Sequence, residues 1–399
     1  MNITDVGHLT SDAEEGEDKM IKALRREGKP ITVEAIKEVA KFYTDAFLKD
    51  EERLNIIKPD VVCPATEHIP EMIELIKRIE KNGYTYKTKV GLIYDASKFK
   101  NYAKLGNLSV EQLKAGARVE PDPERRNPSD FALWLTNQPS HLMQWESPWG
   151  KGFPGWHIEC SAMSIKYLGE QFDIHCGGEE HIQVHHSNEI AQSEGATGKK
   201  WVNYWLHPRW LLFKGDKMSK STGGIYTISE LEEKGYAPIV YRYFTLTAHY
   251  RTQLDFSFEA LDATKNAYER LVNRIFELRK EKDSNGDIKG YKKKFLEFIN
   301  DDVNMPEALS LMWQMLKDEN LGSKEKLELA YDFDKVFGLG LHELKEEKTP
   351  TEVKKLVDER EKARQAKDFK KSDKLRENIK NLGWEVQDTP EGQKVRKAI

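Results

Sequence analysis

The chain has 399 residues, 38% hydrophobic and 33% charged, with a net charge of −4. That length excludes a single small module and allows two or three domains of about 100–200 residues each, and the charge balance does not announce a nucleic-acid binder. No apolar run nears the roughly 18 residues of a spanning helix, and the opening MNITDVGHLTSDAEEGEDKM is acidic, unlike a targeting peptide, so a soluble, cytoplasmic protein with reduced cysteines and no membrane partner is expected.

Met1–Asp5 reads as the end of a strand running into a loop. From Thr32, a candidate N-cap, Ile36, Val39, Ala40, Tyr43 and Phe47 recur at helical spacing. A second helix after Thr66 carries Ile69, Met72, Ile73, Ile76 and Ile79 on one face and stops at Gly83. Residues 84–150 change character. Short β-like runs at Tyr84–Tyr86 and Val90–Tyr94 and prolines 121, 123, 128, 139 and 148 suggest an insertion. Phe172–His175 then predicts a short buried strand, Val184–Glu194 a helix and Trp205–Phe213 a second strand-like run broken at His207-Pro208-Arg209. This alternation argues for a parallel α/β sheet. After Asp255 the pattern is helical: Leu261, Tyr268, Leu271, Ile275 and Leu278 line one helix, and a further helix begins near Pro306. Leu344–Thr351 is a candidate linker, followed by a charged helix or helix pair over Glu352–Leu382. From Thr349 to Ile399 there are 14 Lys and Arg against 10 Asp and Glu, a local basic excess.

Residues able to do difficult chemistry concentrate between Gly152 and Ser221, which holds six of the eleven histidines and two of the three cysteines. Lys217-Met218-Ser219-Lys220-Ser221 places two ammonium groups three residues apart beside glycines, a pattern suited to polyphosphate; a solvated surface loop is the plainer reading. His185 and Glu189 are four apart on one predicted helix face, and with Cys160 they offer three donors suited to zinc. No C-x-x-C or H-E-x-x-H spacing marks them, so a packed Cys160 with capping histidines stands as the alternative. Gly177-Gly178 after a predicted strand would let backbone approach a ligand, or would simply end the strand, and a carboxylate there could accept from a ribose or an ammonium. Cys63, Cys176 and Trp313 read as packing residues.

In this order, GWHIEC, DIHCGGEEHIQVHHSNEIAQSE, KMSKS and YFTLTAHYR resemble a cysteinyl-tRNA synthetase, one of the class I aminoacyl-tRNA synthetases, and the resemblance spans nearly the whole chain. It implies an α/β, Rossmann-like catalytic domain, incomplete at its N-terminus, over 1–83 and 151–254, with an insertion at 84–150. An all-α tRNA-binding bundle at 255–348 and a basic anticodon-side subdomain at 349–399 would follow. The implied activity is ATP-dependent attachment of L-cysteine to tRNA(Cys) through a cysteinyl-adenylate, with Mg2+ accompanying ATP. Cys160, His185 and Glu189 match zinc ligands, and Thr4, Trp156 and Glu180 match residues around the substrate cysteine. Lys217 and Lys220 match the catalytic phosphate-binding lysines, and Gly177 and Gly178 belong with them in the ATP site.

Two departures qualify the resemblance. The family usually has Asp where this chain has Glu180. Its amino-terminal strand-helix unit, with a fourth zinc-ligand cysteine and the HIGH signature, has no counterpart in these 399 residues. The expectations that follow are a start at an internal Met, a zinc with three protein ligands, an exposed hydrophobic sheet edge and little adenylation by the isolated chain. A separate N-terminal polypeptide is a further partner consistent with this. A non-catalytic tRNA-binding paralogue and a cysteine ligase acting on a small amine are the alternatives.

Overall fold

The computed structural model of the protein describes residues 1–7, 19–107, 124–139, 141–213, 216–217, 226–346, 348–389 and 392–397. It divides into two compact units, one of 1–52, 56–210 and 250–253, the other of 53–55, 211–249 and 254–399. Among the described residues no helix is long and apolar enough to cross a membrane.

In the first unit β1 (Asn2–Ile3) pairs in parallel with β2 (Cys63–Pro64). Between them lie α1 (Lys19–Arg26) and α2 (Val33–Arg53). Thr32 caps α2 as its position predicts, its Oγ1 accepting from the Ala35 N–H at 3.1 Å. The apolar stripe of α2 is only half core. Ile36 and Val39 pack with Ile21, Leu24 and Met143, whereas Tyr43 and Phe47 are 51% and 49% exposed, because the helix runs on beyond the residues that cover its first turns. The next helix, α3 (Ile69–Lys81), has Pro70 in its first turn and buries Ile69, Met72, Leu75, Ile76 and Ile79. It is followed by Gly83 at φ +80°, a conformation that favours glycine.

Strands β3 (Thr85–Thr88), β4 (Gly91–Tyr94), β5 (Phe131–Thr136) and β6 (Gly152–Pro154) form an antiparallel sheet in that order. The sequence reading missed β5. Five of its residues, Phe131 to Leu135, are buried on both faces, so FALWLT shows none of the alternation that marks a half-exposed strand. Gly155 then turns the chain into α4 (Trp156–Leu168); a Cβ on Gly155 would lie 2.3 Å from the Ala132 carbonyl oxygen. A β-α-β unit follows, of β7 (Phe172–Cys176), α5 (His185–Thr197) and β8 (Val202–Leu206), with β7 and β8 parallel. The expectation of a buried β7 is corrected: Phe172 is buried but Ile174 is 56% exposed. Among the described residues β7 pairs with β8 alone, which leaves its centre open to water.

The second unit starts from β9 (Leu211–Phe213), flanked by antiparallel β10 (Asp216–Lys217) and parallel β11 (Leu254–Phe256). The predicted run Trp205–Phe213 is therefore two strands in two sheets, broken where the sequence placed His207-Pro208-Arg209. Two helices, α6 (Ile228–Glu233) and α7 (Pro238–Leu246), lie between β10 and β11. Thr227 and Glu230 form a reciprocal capping box on α6. Then α8 (Phe258–Lys280), α9 (Lys289–Asn300), α10 (Met305–Lys317) and α11 (Ser323–Phe337) pack as a bundle, with all five predicted stripe residues of α8 buried. In its core Phe333 stacks on Phe295, ring centroids 4.0 Å apart. Phe333→Ala is expected to destabilise this unit by about 3–5 kcal/mol, from lost transfer energy plus the cavity left behind. The shift in a urea-unfolding midpoint measures it.

Past residue 350 the chain forms a helix pair, α12 (Thr351–Gln365) and α13 (Phe369–Asn381), and a hairpin of β12 (Trp384–Thr389) and β13 (Gly392–Lys397). Val353, Val357, Ile379, Trp384 and Val386 make its small core. Arg360 is 1% exposed, and its guanidinium holds Asp388 at 2.8 and 3.0 Å and the Gln393 amide oxygen at 2.6 Å, tying α12 to both hairpin strands.

Candidate functional site

The site gathers where α4 meets the start of α5. Cys160 lies on α4, and His185 and Glu189 lie one turn apart on α5, on the shared face that their spacing predicts. One donor atom from each falls within 4.8 Å of the others, and all three residues are buried. Glu189 is fully buried; His175 Nε2 stands 3.2 Å from its Oε2, and its Oε1 has no hydrogen-bond partner. A buried carboxylate without hydrogen bonds is costly unless a cation faces it. Thiolate, imidazole and carboxylate are together a donor set for a divalent transition metal, so these residues fit a metal centre.

Burial, then the nearby Glu189 and Glu159 carboxylates, push the Cys160 thiol well above the ordinary cysteine range. In the metal-free chain it is a thiol, and a cation is what would make it a thiolate. The Asn2 amide supports that sulfur from β1, with Nδ2 3.0 Å from Sγ. Burial and neighbouring imidazoles push His185 well below the usual histidine range and His186 down to about 2. Both are neutral at physiological pH, the state in which imidazole binds a metal.

Five further imidazoles crowd around the three donors. His157 Nδ1 lies 2.9 Å from His185 Nδ1, and His207 Nε2 lies 2.8 Å from His186 Nδ1. His175, at the end of β7, brings its Nε2 to 3.2 Å from Glu189. His181 stands 5.1 Å from His185 between ring centroids. The sequence reading passed over His175 and His207 and gave His186 a capping or packing role. Two signals were present. His186 precedes Glu189 by three, which places them on one helix face, and His175 ends a parallel strand, where α/β sheets hold their ligands.

The other predicted residues are placed as follows. Trp156 opens α4 and lies against His185, ring centroids 4.3 Å apart. Glu180 accepts from the Trp210 indole N–H at 2.7 Å, a partner the sequence did not suggest. At Gly178 an added Cβ would meet the Glu180 carboxylate at 2.2 Å, and at Gly177 it would meet the His186 ring at 2.6 Å. The close approach that this glycine pair permits here is to the protein's own side chains. Thr4 is exposed, two residues beyond Asn2. Lys217 lies on β10 in the second unit; Lys220 and most of the KMSKS string lie outside the described residues. Cys63 is buried as expected, but Cys176 is exposed at the end of β7 and is not a packing residue. Trp313 is partly buried and donates to the Tyr243 hydroxyl at 2.9 Å.

Residues 2–266 match the family described as the class I (C) tRNA synthetase catalytic domain, and residues 346–396 match the cysteinyl-tRNA ligase anticodon binding domain. A methionyl-tRNA synthetase of Mycobacterium tuberculosis, solved with methionyl-adenylate, shares the fold at a TM-score of 0.53 and 17% identity, over 84% of this chain and 75% of its own. Fold and matched family together define a class I aminoacyl-tRNA synthetase with a Rossmann-like catalytic domain and a helical C-terminal part. The cysteine–tRNA ligase of Treponema denticola is 46% identical over 97% of this chain and 85% of its own length. Cysteine–tRNA ligase 1 of Burkholderia lata is 45% identical over 99% and 83%. The chain belongs to the cysteine–tRNA ligase family of enzymes.

Proposed function

We propose that this chain joins L-cysteine to tRNA(Cys) at the expense of ATP, through a cysteinyl-adenylate, with Cys160, His185 and Glu189 holding the zinc that recognises the substrate thiol. The observation that carries this reading is the convergence of three unlike buried donors, a thiol, an imidazole and a carboxylate, within 4.8 Å of one another. When bound, zinc supplies a bond to a thiol sulfur that a serine hydroxyl cannot equal. The chain's own residues do the remaining work. Glu180, held by Trp210, accepts from the substrate ammonium; Trp156, packed against His185, walls the same space, and Thr4 lines it as well. Lys217 and Lys220 neutralise the ATP phosphates, which Mg2+ accompanies, as the cysteine carboxylate attacks the α-phosphorus and pyrophosphate leaves; the tRNA 3′-terminal hydroxyl then takes the cysteinyl group and AMP leaves. Gly177 and Gly178 belong to the nucleotide side of the site. The bundle and the basic segment after residue 349 contact the tRNA.

The test is equilibrium binding of cysteine and of serine to the zinc-loaded and zinc-stripped chain, by calorimetry. Cysteine should bind the loaded chain at least about 100-fold more tightly than serine, and stripping should erase the difference. Equal binding of the two amino acids to loaded protein would sink the reading. Binding rather than turnover is measured, so the outcome does not hang on the phosphate-binding segments. Trp210→Phe, which removes the N–H that holds Glu180, should weaken cysteine binding about fivefold, the worth of one hydrogen bond near 1 kcal/mol. Zinc affinity should stay unchanged in the same titration.

A further inference from the structure

One cation does not account for the histidines around Glu189. The carboxylate turns its two oxygens to different partners. Oε1 faces His185 Nε2 at 3.8 Å, on the side of Cys160, while Oε2 faces His175 Nε2 at 3.2 Å and His186 Nε2 at 3.8 Å. Donor atoms of His175, His186 and Glu189 also lie within 4.8 Å of one another. A separation of 3.8 Å is too long for a hydrogen bond. Two nitrogen or oxygen ligands on one tetrahedral zinc sit about 3.3 Å apart, given bonds of roughly 2.0–2.1 Å. His175 Nε2 and Oε2, 3.2 Å apart, have the spacing of two ligands about a common ion, and His186 Nε2 closes the third side at 3.8 Å.

The local design also occurs twice. His185 engages its Nδ1 with His157 and aims Nε2 at Oε1; His186 engages its Nδ1 with His207 and aims Nε2 at Oε2. With a proton on each inner Nδ1, both Nε2 atoms present bare lone pairs to the carboxylate, the arrangement that fixes a ligating histidine. Gly177 makes room for the second copy, because a Cβ there would lie 2.6 Å from the His186 ring.

We propose that His175, His186 and Oε2 of Glu189 form a second divalent-cation position, with Glu189 bridging it to the Cys160–His185 position. The inference rests on the reading of Glu189 as a ligand of that first position. The second position has nitrogen and oxygen donors only. It takes borderline ions such as Zn2+, Co2+ or Ni2+, more weakly than a position with a thiolate. A bridging carboxylate sets the two ions about 3.5–4 Å apart.

The experiment titrates the metal-free full chain with Co2+, reading absorbance and bound metal per chain. Two equivalents are expected. The first brings a near-ultraviolet thiolate-to-cobalt band and the second only weaker visible bands. His175→Gln should abolish the second equivalent and keep the first with its band; Cys160→Ser should abolish the band and keep an equivalent that depends on His175. One equivalent with the thiolate band overturns this inference and leaves the proposed function standing. Binding that depends on His175 but never shows the band supports the second position and removes the first. A second equivalent that survives His175→Gln lies elsewhere and overturns the inference. So does loss of both equivalents in a His175→Gln chain whose circular dichroism is unchanged. If that variant fails to fold, His186→Gln makes the same test: it should abolish the second equivalent and keep the first with its band.

Discussion

Cys160→Ser is expected to lower zinc affinity by at least about 100-fold and to remove the preference for cysteine over serine. Loss of a partner that only supports a metal ligand already costs about 10–100-fold, and here a ligand itself is lost. Serine preserves the volume and can still accept from the Asn2 amide, so the change falls on the donor atom. Glu189→Gln should behave differently. It also weakens metal binding, but it replaces a fully buried carboxylate whose Oε1 has no hydrogen-bond partner by a neutral amide. The metal-free chain should therefore gain stability while the loaded chain loses it. Thermal melts with and without zinc, beside a chelator competition, read both effects. If metal-free Glu189→Gln melts below the metal-free parent, the carboxylate has a structural partner and the metal assignment fails.

Arg360→Ala should detach the terminal hairpin from its helix pair. The guanidinium is buried and makes three hydrogen bonds, and the neighbouring Arg364, 3.1 Å from Asp388, partners only that carboxylate. Removing one member of a buried pair costs about 3–5 kcal/mol. The lower end is expected here, because the Asp388 side chain keeps 34% of its surface in water. The same pair sets an acid limit. Hydrogen bonds from Arg360 come first among the causes that hold the Asp388 carboxyl below its ordinary value. Its contribution is present above the unfolded-state value, about 3.9, and is lost as pH falls through the lower folded value. Hydrogen exchange of residues 384–397 should accelerate in Arg360→Ala at neutral pH and in the parent only at strongly acid pH. Unchanged exchange in the variant would show that the five apolar core residues hold the hairpin without the ion pair.

What could be read in advance depended on whether neighbours in sequence carry the signal. The α8 stripe and the His185–Glu189 spacing are local, helical and visible as periodicity. The full burial of β5 erased its alternation. The stripe on α2 showed where apolar residues recur but not how far its cover extends. Cys160, His185 and Glu189 were legible as donors because each residue type has a coordination chemistry of its own. Asn2, Trp210 and His207 were not, since an amide, an indole and one more imidazole acquire a role only when the fold brings them to a sulfur, a carboxylate and a ring nitrogen. Gly177 carried a second meaning that the pair alone did not show: a Cβ there would lie 2.6 Å from the His186 ring, so the glycine also makes room for an imidazole.

The contacts of Cys160 also differ in how far apart they lie along the chain. Glu189 follows within thirty residues, with a single strand and a loop between the two helices, whereas Asn2 lies 158 residues away. The entropy of closing a loop rises with its length, so the near contacts form at the smaller entropic cost. During synthesis α4, β7 and α5 emerge as one short stretch, so the three proposed ligands can meet before the rest of the chain has folded. The amide of Asn2, made long before, reaches the sulfur only when β1 has aligned beside β2. In this order of events a bound cation would take part in folding, and the sulfur would acquire its last partner after the metal.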